Sequence, residues 1–242
     1  MGIGSIGIIG GSGLSKLIFT KSFKRLKIRT KYGEVWVRQG KVQGTTVLFI
    51  NRHGEKYIPP SMINYRANIA ALKEGGAQAI LATAAVGSIK PPMKPGDFVV
   101  LSDFIDFTKG RTQTFTDSSF IDLSLPYDPS LAKQIISAAA KLRIKIHPRA
   151  TYACTEGPRF ETKAEIRMFG KLGADVVGMT NVPEVVLANE AGIPYAVIGV
   201  VTNYAAGVSS KKVSAEEVVA VMGEKREGLS RLLAQVIKYI SL

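Results

Sequence analysis

Short β-branched apolar runs recur along this chain, and most end on a cluster of small or polar residues ahead of a segment with helical spacing. No other sequence feature restricts the fold as strongly. Strands that alternate with helices pair mainly in parallel, and such a sheet needs helices on both faces to cover its apolar surface. The expected strands are 3–9, two runs within 34–50 separated by 40–44, then 79–85, 97–101, 149–155, 175–179 and 195–202. The expected helices are 64–74, 130–142, 164–172, 183–191 and 215–240. The first of these carries Ile69, Ala70 and Leu72 on one side and stops at Gly75-Gly76, a glycine stop. No repeat, low-complexity tract or linker divides the chain, so residues 1–242 are expected to form one α/β domain, a mixed twisted sheet flanked by helices on both faces.

Composition removes several classes. At 242 residues, 46% hydrophobic and 21% charged, the chain is long enough to bury one large core. Its longest apolar stretch, 193–201, contains Pro194 and falls far short of the ~20 residues that cross a bilayer. The start has no basic leader and runs directly into glycine-rich chemistry, so a cytoplasmic protein beginning here is expected. One cysteine, Cys154, forms no internal disulfide, and with only His53 and His147 beside it no metal site is expected. His147 is expected in a surface loop before Pro148, and Cys154 as a small buried hydrophobe. The net charge is +13, and the segment 16–31 is strongly basic without an acid. Such a field attracts anions. That segment matches no nucleic-acid module, so a solvated basic face on an enzyme with anionic substrates is the preferred reading over a nucleic-acid partner.

The polar clusters at the strand ends carry the chemistry. Gly2-Ile3-Gly4-Ser5-Ile6-Gly7 spells the dinucleotide fingerprint, but nothing precedes it and the apolar run continues past it, whereas that fingerprint must follow a strand and open a helix. The next tetrapeptide, Gly10-Gly11-Ser12-Gly13, follows a strand with approachable backbone amides and a hydroxyl, a combination suited to an oxyanion and equally to a plain turn. Arg52-His53-Gly54 closes another strand with a guanidinium beside an imidazole, and Thr83 to Ser88 again follows a strand with small side chains. Three strand ends of one chemical character point to an anion site at the carboxyl edge of the sheet. Further on, Thr155 to Thr162 places Phe160 beside Glu161 just before a helix, a ring to stack on and an acid to accept hydrogen bonds; a helix N-terminus favoured by the dipole explains Glu161 equally. Polar turns recur at Gly178 to Glu184 and at Val201 to Gly207.

Taken together, these segments resemble the nucleoside phosphorylase family that contains methylthioadenosine phosphorylase and trimeric purine nucleoside phosphorylase. The resemblance rests on IGIIGGSGL, NRHG, NYRANIAALKEGGA, ATAAVGS, PGDFVVLSDFIDFT, EGPRFET, GADVVGMTNVPEVVLANEAGIPYA and TNYAAG, and covers essentially the whole chain. It implies a transferase in which inorganic phosphate, a co-substrate, displaces a purine from C1′ of a nucleoside, with no cofactor. It implies phosphate contacts from Ser12, Arg52, His53, the amides around Ala84 and Ala85, and Thr180. It further implies a sugar contact at Met179, a base face at Phe160, and the leaving-group role for Asn203, with Arg52 and His53 as the other catalytic residues. A homotrimer or dimer of trimers is implied, with the loop 115–127 placed to complete a neighbour's pocket.

Where the methylthioadenosine branch typically carries Asp-x-Asp, this chain reads Asn203-Tyr204-Ala205. Hypoxanthine and guanine present a keto acceptor and an N1–H donor; adenine reverses both. Glu161 matches N1–H and the Asn203 amide matches O6 and N7, so a 6-oxopurine nucleoside is the expected substrate. An Asn amide can flip, which leaves more of the discrimination to Glu161. The 5′ side is expected near Val208, Ala215, Val218 and Val219, all apolar, so 5′-methylthioinosine stands beside inosine and guanosine. Tyr57 occupies the place of a histidine common in the methylthioadenosine branch. The rival readings are a methylthioadenosine phosphorylase acting on a 6-aminopurine, a hydrolase, and a non-catalytic basic nucleic-acid-binding protein.

Overall fold

The computed structural model describes residues 4–11, 22–116 and 120–240. Ser12, Gly13 and the first part of the basic segment lie outside these residues. Nine strands are present among them: β1 (Ser5–Gly10), β2 (Lys24–Thr30), β3 (Gly33–Val42), β4 (Thr45–Asn51), β5 (Ala77–Ser88), β6 (Phe98–Phe107), β7 (Ile146–Thr155), β8 (Val176–Gly178) and β9 (Tyr195–Tyr204). Five helices accompany them: α1 (Tyr65–Glu74), α2 (Pro129–Lys141), α3 (Lys163–Lys171), α4 (Glu184–Glu190) and α5 (Ala215–Tyr239).

The helix starts are written locally. Asn64, Asp128, Thr162 and Ser214 each accept a backbone N–H from the first turn of α1, α2, α3 and α5, which satisfies donors the helix itself leaves open. At α3, Thr162 and Glu165 form a reciprocal capping box.

The strands form one sheet in the order β2-β3-β4-β1-β5-β8-β7-β6-β9, and β9 also pairs with β5. Five strands, β5, β8, β7, β6 and β9, therefore close on themselves, and closure removes free edges. β1 lies parallel between β4 and β5, and β5 lies parallel to β9. Side chains alternate between two apolar layers, as the pleat requires. Ile9, Leu48 and Ile50 pack with α1 and α4, while Ile6, Ile8, Val47 and Phe49 pack with α2 and α5. The mixed sheet with helices on both faces matches the expectation.

Several boundaries differ from it. Nearly half of the basic segment is β2, an edge strand that pairs with β3 among the described residues. Leu26, Ile28 and Thr30 alternate as its half-buried face, and Ile28 packs on the core, while Arg25 and Lys27 lie over the exposed Trp36 ring. The β3–β4 turn is at Gln43-Gly44, both at positive φ, so Gly40 sits inside a strand. β5 and β6 run on to Ser88 and Phe107. His147 is not in a loop: it is half-buried on β7, with Nε2 2.8 Å from Asp97. Cys154 is fully buried, and burial pushes its thiol up to about 12. Among the described residues no helix is long and apolar enough to cross a membrane.

Candidate functional site

The carboxyl ends of the parallel strands converge. β1 follows β5 only as far as Ala82, whereas β9 follows it to Ser88, so beyond Ala82 one edge of β5 faces a cleft instead of a strand. β8 pairs antiparallel with the last two residues of β5, and its short length delivers the turn at Met179 and Thr180 to the same place. A cavity of about 350 Å³ occupies this junction.

Its wall holds most of the residues singled out from the sequence. Arg52, His53, Ala85, Phe160, Glu161, Met179, Thr180, Asn203, Ala205 and Val218 all line it. Ala84 is buried next to it and is not part of the lining, and Ser12 lies outside the described residues. Ala215, Val219 and Tyr57 also line the cavity; Val208 does not.

On one side the strand ends are tied together through polar contacts. Arg52 N donates to Gly10 O, Gly11 N donates to Thr83 Oγ1, and Thr83 Oγ1 lies 3.3 Å from Ile9 O. A side chain at Gly11 would put its Cβ 2.9 Å from both Arg52 Nη1 and Thr83 O, so only glycine lets the backbone lie this close. Arg52 is fully buried and gives Nε and Nη2 to the two oxygens of Glu184, each at 2.7 Å, and Nη1 to Thr83 O at 2.8 Å. Burial opposes its charge, but the Glu184 carboxylate outweighs burial and holds the guanidinium pKa above its ordinary value. Tyr195 Oη donates to the same carboxylate at 2.6 Å.

His53 is buried beside Arg52 and stacks on Tyr57 with ring centroids 4.5 Å apart. Its Nδ1 lies 2.9 Å from Ile58 O. A carbonyl only accepts, so Nδ1 carries hydrogen and Nε2 is the acceptor nitrogen of the neutral ring. Burial holds the imidazole below its usual range, and the Arg52 charge adds to the depression.

Across the cavity, Asn203 is buried; its Nδ2 donates to Tyr204 O at 3.0 Å and its Oδ1 accepts from Thr202 Oγ1 at 2.8 Å. The Tyr204 carbonyl holds the NH₂ end of the amide and Thr202 the oxygen end, which leaves Nδ2 a second N–H to give. Glu161 accepts from Thr155 Oγ1 at 2.7 Å. Burial raises its carboxyl pKa, and the Thr155 bond opposes that rise. Gly157, at φ +68, brings the loop within contact of Met179, because a Cβ there would lie 2.6 Å from Met179 Sδ.

A sequence profile described as Phosphorylase superfamily matches residues 5–238. The chain belongs to that superfamily. It is 49% identical over 247 residues to a 6-oxopurine nucleoside phosphorylase of Pyrococcus furiosus, covering 97% of this chain and 92% of the relative. It is 47% identical over 241 residues to an S-methyl-5′-thioadenosine phosphorylase of Thermofilum pendens, with coverage of 97% and 92%. Its fold is similar to methylthioadenosine phosphorylase from Schistosoma mansoni in complex with adenine, with a TM-score of 0.92, 32% identity, and coverage of 96% of this chain and 90% of that one. Overall identity does not separate the two specificities, so the side chains of this superfamily member's own cavity must.

Three residues at this site escaped the sequence reading. Glu184 was one residue of a polar turn, yet it is an acid heading the apolar segment Val185 to Ala188, and a carboxylate within buried residues must find a partner. That signal was available. Thr155 and Arg111 gave no comparable one. Arg111, almost fully buried, donates to Met179 O and Val182 O at 2.8 Å and to Glu156 O at 2.7 Å, and pairs with Glu156. It clasps the loops on both sides of Met179. Among the described residues no group of His, Cys, Asp and Glu is arranged to hold a metal ion.

Proposed function

We propose that this chain catalyses phosphorolysis of 6-oxopurine nucleosides, with inorganic phosphate as co-substrate and no cofactor. The observation that carries the reading is that an oxyanion-type group of strand ends and an acceptor–donor pair, Glu161 and Asn203, face one cavity.

Phosphate would sit against Gly11, Arg52, His53, the edge of β5 at Ala84 and Ala85, and Thr180, with Ser12 as a further donor. One phosphate oxygen forms the bond to C1′ while the C1′–N9 bond breaks and its electron pair moves onto the purine. Positive charge then grows on the ribosyl ring and negative charge on the base, so catalysis consists of holding the anion under one and stabilising the other. Asn203 donates its remaining Nδ2 hydrogen to N7 or O6 as charge collects there. Glu161 accepts from N1–H. Phe160 covers the base, and Met179 touches the sugar.

Adenine would bring an N1 lone pair to the Glu161 carboxylate and leave acceptors unmatched, a mismatch of roughly 1–3 kcal/mol. That favours the 6-oxopurine reading over the 6-aminopurine one. At the 5′ end, Val213, Ala215, Val218 and Val219 give the cavity an apolar stretch of wall, which suits a methylthio substituent and keeps 5′-methylthioinosine beside inosine and guanosine. The same reading takes the chain as a cytoplasmic homotrimer or dimer of trimers, in which the loop 115–127 of a neighbour, with Phe120 and Leu125 exposed, completes this end.

Base release from inosine, guanosine, methylthioinosine and methylthioadenosine, each with and without phosphate, tests the reading. Release should require phosphate and favour the three 6-oxopurines by about tenfold or more. Faster cleavage of methylthioadenosine than of all three overturns the specificity, and release in phosphate-free buffer overturns phosphorolysis.

A further inference from the structure

Arg52 was expected as the cation of the phosphate site, yet its charge is already matched. Both members of the Arg52–Glu184 pair have side chains with no solvent exposure. Two buried charges so arranged are held by geometry as much as by Coulomb attraction, since a bidentate fork fixes the plane of the guanidinium. Of the five N–H donors on Arg52, two go to Glu184 and one to Thr83 O. One hydrogen on each terminal nitrogen is left for another acceptor. Where those two hydrogens point is set by Glu184, which heads α4, and by Tyr195 on β9, which donates to Glu184 Oε1.

We infer that Glu184 is a positioning residue for the phosphate site, acting through Arg52, with Tyr195 holding the carboxylate in place. Arg52 then serves as a rigid, charge-balanced donor whose direction is fixed before phosphate arrives. With the Arg52 charge matched by Glu184, its two terminal nitrogens recognise phosphate by the direction of their hydrogen bonds. This inference rests on the phosphate-site reading above.

The test measures phosphate KM, nucleoside KM, kcat and thermal midpoint for Glu184→Gln, Tyr195→Phe and Arg52→Lys, together with the Arg52→Lys/Glu184→Gln double variant. Glu184→Gln keeps the volume but cannot accept from both Arg52 nitrogens. It should raise phosphate KM about tenfold or more, the cost of disturbing hydrogen bonds to a charged group, with nucleoside KM within about twofold. Tyr195→Phe keeps the ring and removes one hydrogen bond, so it should raise phosphate KM about threefold. This milder variant decides the matter if Glu184→Gln does not fold. In the double variant phosphate KM should be no worse than in Arg52→Lys alone, because Glu184 acts only through Arg52; a purely structural role would add a further loss.

Folded Glu184→Gln and Tyr195→Phe proteins with unchanged phosphate KM, or with equal rises in both KM values, overturn the inference. If Arg52→Lys raises phosphate KM while those two do not, only the inference falls. If Arg52→Lys also leaves it unchanged, the phosphate-site reading falls with it.

Discussion

The hydroxyl of Thr155 lies 2.7 Å from Glu161 Oε1 and 3.3 Å from Gly178 O. A hydroxyl has one hydrogen to give, and the shorter contact goes to the carboxylate. The Glu161 carboxyl that lines the cavity is thus oriented, and its charged form favoured, from the last residue of β7. With one oxygen occupied by Thr155, the other is the natural acceptor for a purine N1–H.

Thr155→Val should therefore weaken 6-oxopurine turnover more than the fold. Burial already raises the Glu161 pKa, and removal of the opposing bond raises it further. In the proposed binding mode the carboxylate is the active form for 6-oxopurines, present above that pKa and lost as pH falls through it. The acid limb of kcat/KM for inosine should move to higher pH in Thr155→Val, by up to about one unit for a lost bond of about 1 kcal/mol. Thr155→Ser should restore it. A pH–rate profile that stays in place would separate Thr155 from the specificity of the site.

Base polarity can be tested directly at β9. Asn203→Asp combined with Ala205→Asp puts acceptors where this chain has an amide and a methyl, and should move preference toward 6-aminopurine nucleosides by about tenfold or more. The ratio of kcat/KM for methylthioadenosine over methylthioinosine reads the change. A folded double variant with the wild-type ratio would assign the discrimination to other residues.

Arg111 holds backbone carbonyls of Met179, Val182 and Glu156 at once. Arg111→Met keeps much of the packing but takes a charged donor from these part-buried carbonyls, at roughly 1–3 kcal/mol in all. The thermal midpoint should fall, and nucleoside KM should rise more than phosphate KM if Met179 and Phe160 meet the nucleoside as proposed. Equal effects on both substrates would show Arg111 to be a support for the whole fold.

Gly157 tests the contact between its loop and Met179, the proposed sugar contact. At φ +68 a side chain costs about 1–2 kcal/mol, and the added methyl would also press on Met179 Sδ. Gly157→Ala should lower the thermal midpoint and raise nucleoside KM severalfold. Normal binding in a folded Gly157→Ala protein would mean that Met179 yields without consequence.

Much of the site was legible because strands end where their chemistry begins. Arg52 and His53 directly follow β4, Met179 and Thr180 follow β8, and Asn203 is the last but one residue of β9, so local apolar runs locate them without knowledge of the fold. Pattern was missed where charge surrounds a short alternation. β2 reads as a charged segment because only Leu26 and Ile28 are apolar among its lysines and arginines, and they are half-buried beside β3, Ile28 against the core.

The sequence by itself determined the alternation of strands and helices, the caps that start the helices, and the donor and acceptor types offered to an anion and a base. These are properties of residues near one another in the chain. Only the tertiary structure decided that β5 to β9 close into a ring, that Asn203 points its nitrogen as it does, and that Arg52 meets Glu184, 132 residues away, in full burial. A buried charge must be matched, but which distant segment supplies the match depends on how strands cross in space, and no local period encodes that.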